Sequence, residues 1–465
     1  MPGATRNGDK LPHEDRTEHA LPSCGGRIEI TYVRRAEPPA GGYNPLAMKA
    51  LVVVLRGCPA GWLGAYGNEW VATPNLDRLA AESVVFDSHI SDHPEAAAAD
   101  AAWLGGEPAH PVLSTLKDAD VHTLLIRANH AETDGPDWFY AGWSEVFDAR
   151  PLEGGDSPLE PLLRDLPAIL TGIATFPNVL IWIEIDRLLP PWDVRQAVFQ
   201  AYLEDVEGDD LDDFEPREKK PHEDGEDEEG ESGEPDHEES PVASQPPEEP
   251  VTPWYDPPTG PFDSFDDDAW EWLQTTFAAV VTSLDAELGV MFDELRSRGF
   301  DKSSAWLVTS DYGYPLGEHV QVGLHRPWLH EELVHLPLIV RLPDAAEACR
   351  RVSGFTQPPD IAATLLDLFG IATTEGHSLL PMARGDADSP RQYAISTLEL
   401  HGAAESSIRT QEWAYLLPVR VPEGETRNPM LFHRPDDRWE SNDLLARNID
   451  RADELEKALN AALEH

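Results

Sequence analysis

In SDYGYPLGEHVQVGLHRPWLHEELVH, residues 310–335, Asp311 is followed by His319, His325, His330 and His335. Imidazoles and carboxylates are metal donors, so this group could assemble a metal site; the same residues also fit ordinary structural roles. Cys58 follows the segment MKALVVVLRG and reads either as a substitute thiol nucleophile or as a small buried hydrophobe. Trp62, Trp70, Trp103 and Trp143 could shape a ligand pocket or fill a core.

The elements that must position these side chains follow from period and composition. Leu51–Leu55, VHTLLI (121–126) and NVLIWIEI (178–185) read as strands buried on both faces. TPNLDRLAAES reads as a helix with Thr73 as N-cap and Pro74 in its first position. Val84 to Phe86 reads as an edge strand. HPEAAAADAAWLGG, residues 93–106, reads as a helix with Pro94 near its start and Gly105–Gly106 ending it. A long helix starts at Asp266–Asp268, with Phe277, Val281, Leu284, Leu288, Phe292 and Leu295 along one face. Strands at 304–310 and 335–342 and a helix at 358–370 follow, then YAIST, EWAYLLPV and MLFHR as short strands, and a closing helix from Asp450 to Leu463.

Alternating strands and helices predict an α/β sandwich with a mostly parallel central sheet and a small C-terminal antiparallel subdomain. The expected organisation is a disordered or mis-assigned extension over 1–48, a first domain part over 49–204, an acidic disordered insertion over 205–260, a second part over 261–375 and a subdomain over 376–465. Met48 is a candidate true start.

The 465 residues carry a formal net charge of −51, with 22 acidic and 3 basic residues between 204 and 250. That field argues against nucleic acid and anionic membranes as partners. The tract is either a solvated spacer or a docking segment for a basic protein. Three cysteines make no disulfide framework, no apolar run reads as long enough to span a bilayer and the N-terminus lacks the apolar core of a secretory signal, so the expected location is cytoplasmic.

LGAYGNEWVATPNLDRLAAESVVF, VTSDYGYPLGEH with HEELVHLPLIVRLP, QPPDIAATLLDLFGI, SIRTQEWAYLL and LFHRPDDRWESNDLLA together, in that order, resemble the sulfatases of the alkaline phosphatase superfamily. The resemblance implies that family's sandwich fold over roughly residues 50–463, outside the acidic insertion. It also implies a chemistry: a divalent cation, usually calcium, held by carboxylates; a formylglycine made from Cys or Ser at a helix N-terminus; and Lys and His residues neutralising the sulfate oxygens.

At the matching positions the residues differ. The acidic pair falls on Arg56 and Gly57, the nucleophile on Ala96, and the motif's arginine on Asp100. The first lysine falls on Ala128, with His130 kept; Asp311 is kept beside Tyr312; a later lysine falls near His325. Alanine has no nucleophilic atom, and Asp311 as the one matching ligand cannot hold calcium. Neither calcium nor formylglycine is therefore expected. The leading expectation is a sulfatase-like protein that has lost sulfuric ester hydrolysis and keeps a binding or structural role. The alternatives are an active sulfuric ester or phosphoester hydrolase with a rewired site, and a scaffold whose acidic insertion binds a partner. Because an unpaired buried carboxylate is costly, Arg56 is expected to pair with Asp311 or Asp100.

Overall fold

The run KALVVVL forms the central strand β1 (Lys49–Leu55), and its alternating side chains divide the interior into two apolar layers. Leu51, Val53 and Leu55 face one layer; Ala50, Val52 and Val54 face the other. This computed structural model describes residues 47–105, 111–130, 135–150, 159–212, 251–263, 266–372, 376–434 and 436–464.

Eight strands form the main sheet: β1, β2 (Val84–Phe86), β3 (His122–Arg127), β4 (Glu145–Asp148), β5 (Val179–Ile185), β6 (Ser304–Thr309), β7 (Leu338–Arg341) and β8 (Arg350–Val352). Their spatial order is β8-β2-β7-β6-β1-β5-β3-β4. Every adjacent pair is parallel except those made by β7, which runs against both β6 and β2. The sheet is thus mostly parallel, as its doubly buried apolar strands require.

Helix α1 (Pro74–Ala81) follows β1 through two short 3-10 turns, and α2 (Ala96–Leu104) ends on Gly105 in the left-handed conformation. Leu104 and Trp103 of α2 pack into the layer that also holds Trp182, with α3 (Pro111–Asp118) beside them. On the opposite face, α4 (Glu160–Ile173), α5 (Gln196–Asp212) and the long α6 (Asp267–Ser297) cover β1, β5 and β6. The stripe Phe277, Val281, Leu284, Leu288, Phe292 and Leu295 on α6 is buried throughout. Helix α6 is long and apolar enough to cross a membrane, but 72% of its most apolar stretch is buried inside the protein, as in a core helix. Helix α7 (Pro359–Leu368) packs on the α2 side.

The chain closes with an antiparallel sheet of β9 (Ala394–Leu400), β10 (Ala403–Arg409), β11 (Trp413–Arg420) and β12 (Met430–His433) in consecutive order. Helix α8 (Ile449–Leu463) lays Ala452, Leu455 and Leu459 against Ile408, Tyr415 and Leu431.

Three details correct the sequence reading. β2 is interior, because β8 pairs with it in parallel and supplies the true edge with Arg350 and Arg351, charged residues that blunt an exposed edge. Thr73 stands at the N-cap of α1, but its hydroxyl accepts from Gly64 N–H and lies 3.2 Å from Asp77; the amides of Asn75 and Leu76 are instead bonded by the Asp285 carboxylate from α6, at 3.0 and 2.8 Å. The stretch expected to lack structure over 205–260 begins inside α5, which continues to Asp212. It ends in residues 251–260, where Trp254 stacks on Trp272 at 4.5 Å and Tyr255 C=O accepts from Trp192 N–H. The intervening residues 213–250 lie outside the described residues, as do Gly106 and the expected extension up to residue 46.

Candidate functional site

Parallel strands deliver their C-terminal ends to one edge of the sheet, where open α/β folds place ligands. β1, β5 and β6 are neighbours there, with Val54 paired to Glu184 on one side and Thr309 on the other. The residues just past β1 and β6, Arg56 and Asp311, therefore meet beside Glu184. Helix α2 adds Asp100 from above the sheet.

The result is one guanidinium among three carboxylates. Arg56 Nη1 donates to Asp311 Oδ2 at 2.9 Å; Nη2 donates to Asp100 Oδ1 at 3.1 Å and to Glu184 Oε1 at 2.5 Å. Arg56 is 1% exposed and the three acids are fully buried. The second oxygen of Asp311 accepts from the amides of Gly57 (3.0 Å) and Tyr312 (2.9 Å). The expected pairing of Arg56 with Asp311 or Asp100 is found with both, and Glu184 joins them.

Burial removes several kcal/mol of hydration from each ion, and close contact with a buried guanidinium returns a comparable amount. The three acids hold Arg56 firmly charged, well above its ordinary value. One guanidinium cannot balance three carboxylates. Burial first, then the charges of Glu184 and Asp311, push Asp100 up to about 7 against the pull of Arg56.

Gly57 has φ +75°, and a Cβ there would come within 2.4 Å of Leu189 Cδ2. A side chain at 57 thus meets both a left-handed backbone and an occupied space. The donor set does not fit a divalent cation. Position 57 can offer no carboxylate, and each acid already gives an oxygen to Arg56.

Ala96 is the first residue of α2, and Ala128 is buried with its amide bonded to Glu184 C=O. Neither brings a reactive atom. Cys58 is fully buried, its amide bonded to Ser310 Oγ, and burial together with Asp311 pushes its thiol strongly up. A thiol held protonated is a poor nucleophile. Tyr312 packs against the cluster of Ile90, Leu329 and Leu333, and burial with Asp311 pushes its hydroxyl up. His130 donates to Asp186 at 3.2 Å from Nδ1 and at 2.8 Å from its amide. His325 has its ring centre 6.3 Å from that of His401.

The four histidines do not gather around Asp311. His319 pairs with Glu332 at 2.7 Å, His330 with Glu440 at 2.9 Å and His335 with Glu331 at 2.8 Å. His319 and His330 stack, ring centres 3.5 Å apart. Among the described residues no group of three or more His, Cys, Asp or Glu side chains is placed to hold a metal ion. Instead Arg409, fully buried on β10, reaches Glu440 at 2.8 Å and Glu331 at 3.4 Å, and Arg427 reaches Glu405 at 2.8 Å. This network ties the antiparallel sheet to the 318–335 loop. Opposed charges split it: Glu331 is pulled down by Arg434, His335 and Arg409, although burial resists, while burial lifts Glu440 to about 7.

A family model described as Sulfatase matches residues 245–371. Arylsulfatase K of Danio rerio is 27% identical over 202 residues, 42% of this chain and 38% of that protein. N-acetylglucosamine-6-O-sulfatase of Bacteroides thetaiotaomicron is 28% identical over 130 residues, 27% of this chain and 23% of that protein. Residues 245–371 carry the match to the sulfatase family, and the chain is similar in sequence to these curated sulfatases. Its fold is shared with phosphonate monoester hydrolase of Agrobacterium radiobacter, at TM-score 0.60 and 15% identity over 90% of this chain and 95% of that one. The enzyme of the same name from Silicibacter pomeroyi superposes at TM-score 0.59 and 17% identity, over 90% and 94% of the two chains. The sequence matches to these curated sulfatases span less than two fifths of their own lengths.

Within this sulfatase fold, Glu184 and the Glu440–Arg409 network are the polar groups that the sequence reading missed. A lone carboxylate near the end of the apolar run NVLIWIEI was the available signal for Glu184. Nothing local marked Glu440 or Arg409, whose partners are distant in sequence.

Proposed function

We propose that this sulfatase-fold protein has replaced the family's cation with the Arg56 guanidinium and acts by binding rather than by hydrolysis. The observation that carries the reading is the convergence of Asp100, Glu184 and Asp311 on Arg56. The guanidinium supplies the positive charge that buried carboxylates demand, but it offers no open coordination site to polarise an ester or a bound water. Ala96 at the start of α2 and the blocked side-chain space at Gly57 support the same reading. On it, the protein uses neither calcium nor formylglycine.

The test is hydrolysis of 4-nitrophenyl sulfate and 4-nitrophenyl phosphate by the purified chain with calcium present. The expected rate is that of the buffer blank. Turnover that scales with protein and disappears in Arg56→Ala would overturn the reading.

A further inference from the structure

A cavity of about 980 Å³ lies where the loops after β1, the first turn of α6 and the segment after β12 meet, and Trp62, Trp70, Trp270 and Trp439 line it. None of the four residues of the Arg56 group is among its lining. Trp70, Trp270 and Trp439 are 39%, 41% and 53% exposed, which is unusual for indoles that could have been buried. Their placement is fixed. Trp62 and Trp70 have ring centres 6.1 Å apart, Trp62 is held edge-on by Phe277 at 4.7 Å, and Trp70 rests on Tyr202 at 5.5 Å.

The charge of the lining selects among ligands. Glu69, Asp267 and Glu271, with Glu318 lifted by burial to about 7, stand against one described cation, Arg438. That guanidinium already lies over the Trp439 ring, 5.2 Å from its centre. An indole face attracts cations through its quadrupole, most strongly where water is excluded. Carboxylates at the rim add attraction for the same charge and repel sulfate and phosphate esters. We propose that this cavity binds a small organic cation of the quaternary or alkylated ammonium class. Site and ligand class are argued from the cavity lining and are independent of the Arg56 group.

The test is calorimetric titration, followed in parallel by tryptophan fluorescence, with choline and with its neutral carbon isostere 3,3-dimethylbutan-1-ol. Choline is expected to bind one per chain, at least about tenfold tighter than the isostere. Trp270→Ala and Trp439→Ala, both at exposed positions, are each expected to weaken choline by about 5- to 10-fold while circular dichroism shows an unchanged fold. Glu271→Gln keeps the shape and is expected to weaken choline without affecting the isostere. Equal affinity for the isostere, preference for methyl sulfate, or no choline binding with the fold intact would overturn the proposal. Ester hydrolysis measured on the same sample separates the two readings. Turnover defeats the inert reading and leaves the cation site standing, whereas absent choline binding defeats the site and leaves the inert reading standing.

Discussion

Arg56 Nη1 donates to Asp311 Oδ2 at 2.9 Å across 255 positions of sequence, at the ends of two neighbouring parallel strands. This ion pair sits where strand ends of the sheet converge, and it explains how the interior tolerates Asp100 and Glu184 as well. Removing the arginine strands three acids. Arg56→Met is expected to destabilise the protein by about 3–5 kcal/mol, the usual cost of leaving a buried charge unpaired. Chemical denaturation measures it. Combining Arg56→Met with Asp100→Asn, Glu184→Gln and Asp311→Asn is expected to recover most of the loss; no recovery would show that the cost lies in packing.

Asp100 gives the group a pH signature. Its folded value of about 7 exceeds the unfolded carboxylate value of about 3.9, so the folded chain holds this proton more tightly. The resulting stability is complete below the unfolded value, shrinks as pH rises, and is gone above the folded one. Asp100→Asn removes that dependence. The unfolding free energy of the parent minus that of the variant is expected to fall with pH across this window; a rising or flat difference would contradict the assignment.

Arg409 should act at the join between the antiparallel sheet and the 318–335 loop. It donates to Glu440 at 2.8 Å and to Leu329 C=O at 2.7 Å, all within the interior. Arg409→Met is expected to cost about 3–5 kcal/mol. Hydrogen exchange should quicken first in β9–β12, and uniform quickening across the main sheet would contradict this role.

The two described thiols differ in reach. Cys58 is buried and Cys349 exposed. A thiol reagent applied to native protein is expected to modify Cys349, with Cys58 modified only on unfolding. Peptide mapping after a short labelling pulse reads both, and prompt labelling of Cys58 would restore it as a candidate nucleophile.

Much of this was legible in the sequence because apolar period reports burial directly. The runs that became β1, β3, β5 and β6 and the buried stripe of α6 needed no tertiary information. The pairing of Arg56 followed from charge once the family resemblance had put Arg56, Asp100 and Asp311 at one site, since a buried acid needs a counter-charge. What stayed hidden depends on which strands become neighbours. β2 looked like an edge because β8 is only RRV, three residues without a β pattern. Glu184 joined Arg56 through the β1–β5 register. The histidines after Asp311 suggested a metal site by spacing, yet His319, His330 and His335 each found a glutamate once the loop folded back on β10 and the segment at Glu440. Trp62 and Trp70 were candidates for a pocket, but Trp270 and Trp439, which complete it, come from distant segments.

The most direct measurement is a calorimetric titration of calcium into the parent protein and into Arg56→Ala. If the guanidinium stands in for the ion, the parent shows no calcium binding at millimolar concentrations, and the variant, with three acids freed, binds or is thermally stabilised by it. Stoichiometric calcium binding by the parent protein would contradict the account.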